Sequence, residues 1–525
     1  MIYVKKVRRH QGVTLEKIVG GGQTIGQLAD GRKCFVWSGL PGEVVNIRET
    51  KRKSKYVEGI VEEVIKPSPD RVEPVESDSY LSTSPWQIIK FETEQAYKAQ
   101  LIDQAFELHK VKLPHKTTVF SDNQQLAYRN KLELSWYGMA DENGNEALDL
   151  AFFRRGGRGK IIVEGSALAR PEINRLAIAI RDLLRTKPVT ARNLKTLLIR
   201  CNQSGEAVWQ LYLKDKIDGL ISPSEAAQLP AIGGQIIFSD PRSPASVITE
   251  RLASFGQTTL HDQLLGKDFS YACEGFFQVN LPVYEHALKG MGEWVSANSS
   301  ETTSFSEGSA FPAEASQERQ LDQIAASRPE ELDGDNGEVT NSTRATERPS
   351  RPEDSALPAE VNQDDSSWRL TVSEGSDGSD GARAYEYKTL DLYSGVGSIG
   401  LTIGGDNCTL VEVNEHAVRE MKNNIAAQNS NAQAVLAASE KALDYINSDT
   451  IVIVDPPRAG LHSDVVEKLL ETSPPRIIYL SCNPVTQARD VALLNQKYHI
   501  KHTKGYNFFP RTPHIEHLVV LDKSN

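Results

Sequence analysis

The sequence predicts an α/β protein: a Rossmann-like domain in its C-terminal part, an OB-like β-barrel at the front and an α+β domain between them. Three observations carry this. From Lys388 the pattern runs strand, glycine turn, helix and strand, with KTLDLY (388–393) leading into Gly395 and Gly397 and a following strand ending in Glu412. Further on, IVIV (451–454) and IIYL (477–480) are short apolar runs of the kind buried parallel strands show, each ended by a polar or proline turn. At the front, alternating runs such as KCFVW (33–37) and EVVNI (43–47) are broken by GGG (20–22) and LPGE (40–43), the punctuation of a small barrel.

At 525 residues the chain exceeds one ordinary core and predicts two to four domains. The start, MIYVKKVRRHQGV, is charged with no apolar run behind it, and no stretch of eighteen apolar residues occurs, so neither a signal peptide nor a membrane span is expected and the protein is expected to be cytoplasmic. Five cysteines without CxxC spacing argue against a disulfide framework and a local zinc site. Cys34, Cys201, Cys273 and Cys408 read as small buried residues. Cys482 differs, because it stands between a strand and an Asn-Pro turn, where α/β enzymes place chemistry.

Residues 1–66 carry 13 Lys and Arg against 7 Asp and Glu, including RETKRKSKY (48–56), and are read as the barrel, its basic loops suited to a phosphate backbone. Residues 92–265 are read as the central α+β domain. It starts with a helix over 92–115 that places Tyr97, Leu101, Ala105 and Leu108 on one face, and it contains YRNK (128–131), which fits either an RNA contact or a strand start. Residues 266–295 and 385–525 form one Rossmann-like domain. Between them, residues 296–384 hold 19 acidic side chains, 7 Arg and no Lys, with Phe305, Phe311 and Trp368 as their aromatics, and are expected to be a disordered insertion. The net charge of −11 is therefore local to the insertion, since the rest of the chain carries +1.

A GxG turn alone is shared with dehydrogenases, but here the third glycine is missing and the turn is not aimed at a pyrophosphate. Asp455 ends a buried strand and is followed by two prolines, a rigid loop with few backbone donors that suits a flat base. Cys482 adds a nucleophile, and Glu516 stands downstream of it as an isolated acid. Most methyl transfers need no cysteine; a thiolate is required when the acceptor is an unactivated aromatic carbon such as C5 of uracil.

In order, GLPGE, YRNK, FFQVN (276–280), LDLYSGVGSIGL, DPPRAGLH, SCNP and PHIEHLVVL resemble the bacterial RNA uracil-5-methyltransferases, over nearly all of the chain outside 296–384. The resemblance implies a class I methyltransferase domain with a TRAM barrel and S-adenosyl-L-methionine as methyl donor. It implies a cofactor site of Gln278, Tyr393, Ser398, Glu412 and Asp455, with Cys482 as nucleophile, its thiolate favoured by its surroundings, and Glu516 as base. It also implies an RNA partner, 23S ribosomal RNA ahead of transfer RNA because of the barrel, and a monomer. Relatives that hold an iron–sulfur cluster carry cysteines where this chain has Leu81, Ser84 and Ser166, so no cluster is expected here. Ala438 stands where relatives have an acid for the adenine amine. The alternatives are a transfer-RNA enzyme, an N-methyltransferase, which would need neither Cys482 nor Glu516, and an RNA-binding assembly protein with a degenerate site.

Overall fold

Inward-facing Val13, Leu15, Cys34, Val36, Val45, Ile47 and Val57 close the N-terminal segment into a barrel. Its strands, in order around the barrel, are Arg9–Ile18, Thr24–Gln27, Lys33–Trp37, Tyr56–Lys66 and Val44–Arg52. Much of its positive charge is met within the barrel: Arg9 and Arg48 pair with Glu62, Lys51 with Glu58 and Arg52 with Glu49. The computed structural model describes residues 7–140, 146–296 and 387–524, so the expected insertion, apart from Ser296, lies outside the described residues.

A seven-stranded sheet follows, in the order Glu250–Gly256, Gly233–Phe238, Ala207–Leu213, Leu194–Cys201, Lys131–Ala140, Glu146–Phe153 and Lys160–Ile162. Its middle strands are buried on both faces, and the period of two sorts their side chains between two cores. Leu197, Ile199, Trp209 and Leu211 pack under the helix Pro171–Arg185, whereas Leu198, Val208 and Tyr212 enter the core of the C-terminal domain. This two-sided burial is why these strands read as unbroken apolar runs.

The C-terminal domain is built on an eight-stranded sheet. Five parallel strands, in the order Gln433–Leu436, Cys408–Glu412, Lys388–Leu392, Thr450–Val454 and Arg476–Ser481, are continued by Glu516–Lys523, Tyr498–Tyr506 and the two-residue strand Val119–Phe120. Glu516–Lys523 is antiparallel to both of its neighbours. Ile451, Ile453, Ile478 and Leu480 face the helix Leu281–Ser296, while Val452, Val454, Ile477 and Tyr479 face the helices Phe91–Leu108, Ser463–Thr472 and Pro484–Leu494.

Three expectations are corrected. The helix Phe91–Leu108 buries Phe91, Glu94, Lys98, Ile102, Ala105 and Phe106, and Leu108 is 71% exposed, so the helix is rotated from the predicted face. The cause is a buried charge cluster that an apolar-periodicity reading cannot see. Lys98 Nζ lies 3.0 Å from Glu94 and donates to Asn507 and Phe509, while Glu94 accepts the Arg511 N–H. Second, this helix and Val119–Phe120 pack on the C-terminal sheet, so the structure does not divide at residue 92. Third, the boundary at 265/266 falls in the turn of the hairpin Thr259–Leu264/Lys267–Ala272, whose Leu260, Leu264, Phe269 and Tyr271 belong to the C-terminal core.

Around Leu81, Ser84 and Ser166 the structure has a polar network. Gln87 donates to Ser84 Oγ at 2.6 Å and to Glu76 at 2.9 Å, and the Ala167 N–H donates to Glu76 at 2.9 Å. Among the described residues no group of three or more His, Cys, Asp or Glu is placed to hold a metal, and no helix is long and apolar enough to cross a membrane.

Candidate active site

The strand Lys388–Leu392 ends in a reversal in which Tyr393, Gly395 and Gly397 have φ of 65°, 57° and 88°. Glycine carries such angles without strain, and a Cβ at Gly395 would meet nothing closer than Phe276 at 4.0 Å, so the turn is open to a ligand. One oxygen of Glu412 accepts the Gly395 N–H at 3.0 Å and the other the Asn414 N–H at 2.7 Å, which fixes the carboxylate and leaves each oxygen able to accept again. Ser398 Oγ lies 2.8 Å from the Tyr284 hydroxyl. Beneath the turn sits Asp391, which motif reading missed. It accepts the Gly400 N–H at 2.8 Å, its other oxygen has no hydrogen-bond partner, and burial, with Asp455 and Glu412 adding, pushes it up to about 8. The Tyr393 hydroxyl interacts with Ser439 and the His462 backbone, and its ring lines a cavity of about 450 Å³ with Pro457, Leu461, Arg489 and Leu493.

Register brings the remaining residues together. Val454 pairs with both Leu392 and Tyr479, so Lys388–Leu392 and Thr450–Val454 end level and Asp455 emerges beside Arg476–Ser481, which runs two residues further. Ser481 pairs with His517 in the antiparallel neighbour, which sets Cys482 opposite Glu516 at the next position. Asn483 caps the helix Pro484–Leu494 and donates to the Arg458 carbonyl at 2.8 Å, tying the Asp-Pro-Pro-Arg loop to the cysteine segment. Arg458 Nη2 lies 3.4 Å from His514 Nδ1.

The electrostatics of this cluster revise one expectation. Cys482 is not held as a thiolate: burial first, then Glu516 and Asp455, push its thiol up to about 11 against the opposing pull of Arg458. Burial raises Asp455 to about 7, and burial together with Asp455 holds Glu516 well above the usual carboxylate range. Carboxyl groups at Asp391, Glu412, Asp455 and Glu516 gather at one edge of the sheet. A cationic ligand beside them would favour their ionised forms and be favoured in return, and Glu412 could accept from ribose hydroxyls.

The FFQVN loop is held from the central sheet. Arg200, fully buried, donates to the Gly275 carbonyl at 2.6 Å and the Phe277 carbonyl at 2.5 Å. Lys131 Nζ donates to the Glu274 and Gly275 carbonyls, and Asn130 donates to the Gln278 carbonyl at 3.0 Å. Of the two readings of YRNK, an RNA contact and a strand start, the structure therefore favours an inward one: Asn130 and Lys131 brace Gln278 and the 66%-exposed Phe276 beside the glycine turn. Ala438 precedes the short turn Ser439–Lys441.

A parallel Rossmann-like sheet extended by an antiparallel strand, with an open glycine turn and an acid ending the next strand, defines a class I methyltransferase domain. The chain is similar to proteins of the RNA uracil-5-methyltransferase family. Residues 438–524 match the model of the tRNA (Uracil-5-)-methyltransferase family. An uncharacterized RNA methyltransferase of Nitratidesulfovibrio vulgaris is 25% identical over 522 residues, 97% of this chain and 95% of that protein. The tRNA (uracil(54)-C(5))-methyltransferase of Pyrococcus abyssi is 42% identical over 131 residues, 25% of this chain and 31% of that protein. A crystal structure of the Pyrococcus abyssi tRNA (uracil-54, C5)-methyltransferase with S-adenosyl-L-homocysteine superposes with a TM-score of 0.64 at 17% identity, covering 97% of this chain and 100% of that one.

Proposed function

We propose that this protein methylates C5 of a uridine in structured RNA, using S-adenosyl-L-methionine, with Cys482 as nucleophile and Glu516 as base. The observation that carries the reading is the register that sets Cys482 opposite Glu516 with Asp455 beside them. Gln278, Tyr393, Ser398, Glu412 and Asp455 would hold the methyl donor, which supplies an electrophilic methyl group on a sulfonium. The open turn and the carboxylate edge fit such a ligand.

On the RNA, the Cys482 thiolate adds to C6 of the flipped uracil and its electron pair passes to the enolate at O4. C5 becomes nucleophilic and takes the methyl. Glu516 then removes the C5 proton, and the released pair expels the thiolate by breaking the C6–S bond. Burial makes the ionised Glu516 a stronger base than a free carboxylate, and it must give up its own proton to solvent before it can take the one on C5. The high resting pKa of Cys482 means that the free protein rests as the thiol, which must lose its proton before attack. The preference for 23S ribosomal RNA as substrate rests on the presence of the barrel; the charge of its loops suits the phosphate backbone of either RNA.

RNA carrying 5-fluorouridine at the target has no C5 proton to lose. Wild type should trap a methylated covalent complex on it, and Cys482→Ala none; an adduct in that variant would refute the nucleophile. Glu516→Gln should accumulate the complex on normal RNA. Tritium transfer to a 23S fragment but not to a transfer-RNA transcript is the expected substrate outcome, and the reverse would replace the ribosomal reading.

A further inference from the structure

We propose that the arm joining the last two strands of the central sheet, residues 153–160, is a second RNA-binding surface, which extends the basic face of the barrel. It rests on the RNA reading above. The arm, FRRGGRGK, exposes Phe153 (71%), Arg154 and Arg158. Among the described residues neither Arg154 nor Arg158 is ion-paired, unlike Lys51 and Arg52 of the barrel. A guanidinium without a carboxylate partner has no protein contact to give up when it meets a phosphate.

The arm is fixed against the barrel. The Arg155 guanidinium lies 4.4 Å from the Trp37 ring and donates to the Leu81 carbonyl at 2.8 Å, and the Arg155 N–H donates to Ser82. A Cβ at Gly156 would lie 2.3 Å from Ile60 Cδ1 and 3.3 Å from Thr50, so the arm backbone rests on the two strands joined by the basic turn 48–56. The Arg154 N–H to Gly159 carbonyl bond, at 3.1 Å, closes the arm on itself and presents Arg154 and Arg158 outward. The barrel also reaches the loop before Glu516. The Gly22 carbonyl accepts the Trp86 indole N–H at 3.1 Å, and a Cβ at Gly22 would lie 2.3 Å from Pro513, three residues before Glu516. Arm, barrel and Glu516 loop are thus contiguous.

RNA whose target uridine reaches Cys482 would cross the barrel and meet the arm, with phosphates on Arg154 and Arg158 and an unpaired base against Phe153. Each phosphate contact releases counterions, and a stacking contact does not. The test is fluorescence anisotropy with a labelled 23S hairpin transcript over a series of potassium chloride concentrations. Arg154→Ala/Arg158→Ala should lower the slope of log Kd against log salt by about 1.4 to 1.8. A fourfold rise in salt would then weaken wild type roughly tenfold more than the variant. The double Lys variant should keep the wild-type slope, and Phe153→Ala should weaken binding with the slope unchanged. The rate at saturating RNA should stay at the wild-type level in all three. A double Ala variant that binds with wild-type affinity and slope would overturn the arm while leaving the methyltransferase reading intact. Wild type that neither binds nor methylates RNA would overturn both.

Discussion

Alkylation of Cys482 by iodoacetamide in the free protein should have a pH midpoint near 11, not near neutrality. Relative to a thiol of 9.0, the shift lowers the thiolate fraction at neutral pH about 100-fold, equivalent to roughly 2.7 kcal/mol. A more basic thiolate is intrinsically more nucleophilic; with a Brønsted coefficient of about 0.5 this recovers roughly tenfold, so the net rate at pH 7 should be about tenfold below that of an unperturbed thiol. Restricted reagent access slows the reaction further but does not move the midpoint, so the pH profile is the deciding quantity. Peptide mass spectrometry reads Cys482 separately from Cys34, Cys201, Cys273 and Cys408, all buried and also raised. Glu516→Gln should shift the midpoint down, because it removes the next-largest cause after burial, and Arg458→Ala should shift it up. A wild-type midpoint near 7 would show a thiolate held ready in the resting site, and would refute the inference that the free protein rests as the thiol.

Three further outcomes are expected. Asp391 is raised above its unfolded value, so its contribution is fully present below about pH 4 and is lost as pH rises through about 8; Asp391→Asn should raise stability at alkaline pH by roughly a few kcal/mol in urea titrations, and no gain would contradict its burial as an acid. Arg200→Met strands the Gly275 and Phe277 carbonyls and should cost about 2–4 kcal/mol and raise KM for the methyl donor more than it lowers kcat, with Arg200→Lys partly restoring both. Lys98→Met leaves Glu94 buried without its nearest cation and should destabilise by about 3–5 kcal/mol, seen as a lower urea midpoint.

The strands and turns of the C-terminal domain were legible because buried parallel strands and a glycine reversal write themselves into local sequence. Strand-end placement singled out Cys482, Glu412 and Asp455 for the same reason. What was not legible depended on partners distant in the chain. The face of Phe91–Leu108 is set by Lys98 meeting residues near 507–511, and periodicity counts a lysine as solvent-facing. Asp391 looked like one polar residue in a strand, and its raised pKa comes from carboxylates on other elements. The inward role of Asn130 and Lys131 depends on carbonyls more than 140 residues away. The Cys482 thiol departs from expectation because a motif names the nucleophile and says nothing of the acids around it.

The strand Val119–Phe120 pairs in parallel with Gly505 and Tyr506, and the Asn507 N–H donates to the Phe120 carbonyl at 2.8 Å. On the ribosome, a segment that closes the rim of the last domain is thus made nearly four hundred residues before the strand it shields. Until Tyr498–Tyr506 is made, Val119–Phe120 has no strand to pair with, and Ile102 and Phe106 of Phe91–Leu108 lack the C-terminal core they join. Released too early, or expressed from residue 259 onward, the C-terminal sheet would present Tyr498–Tyr506 as a bare template for pairing with other chains. The order of the chain therefore makes this enzyme dependent on late, long-range closure, and a chaperone that holds the nascent N-terminal half should raise its soluble yield more than one acting after release.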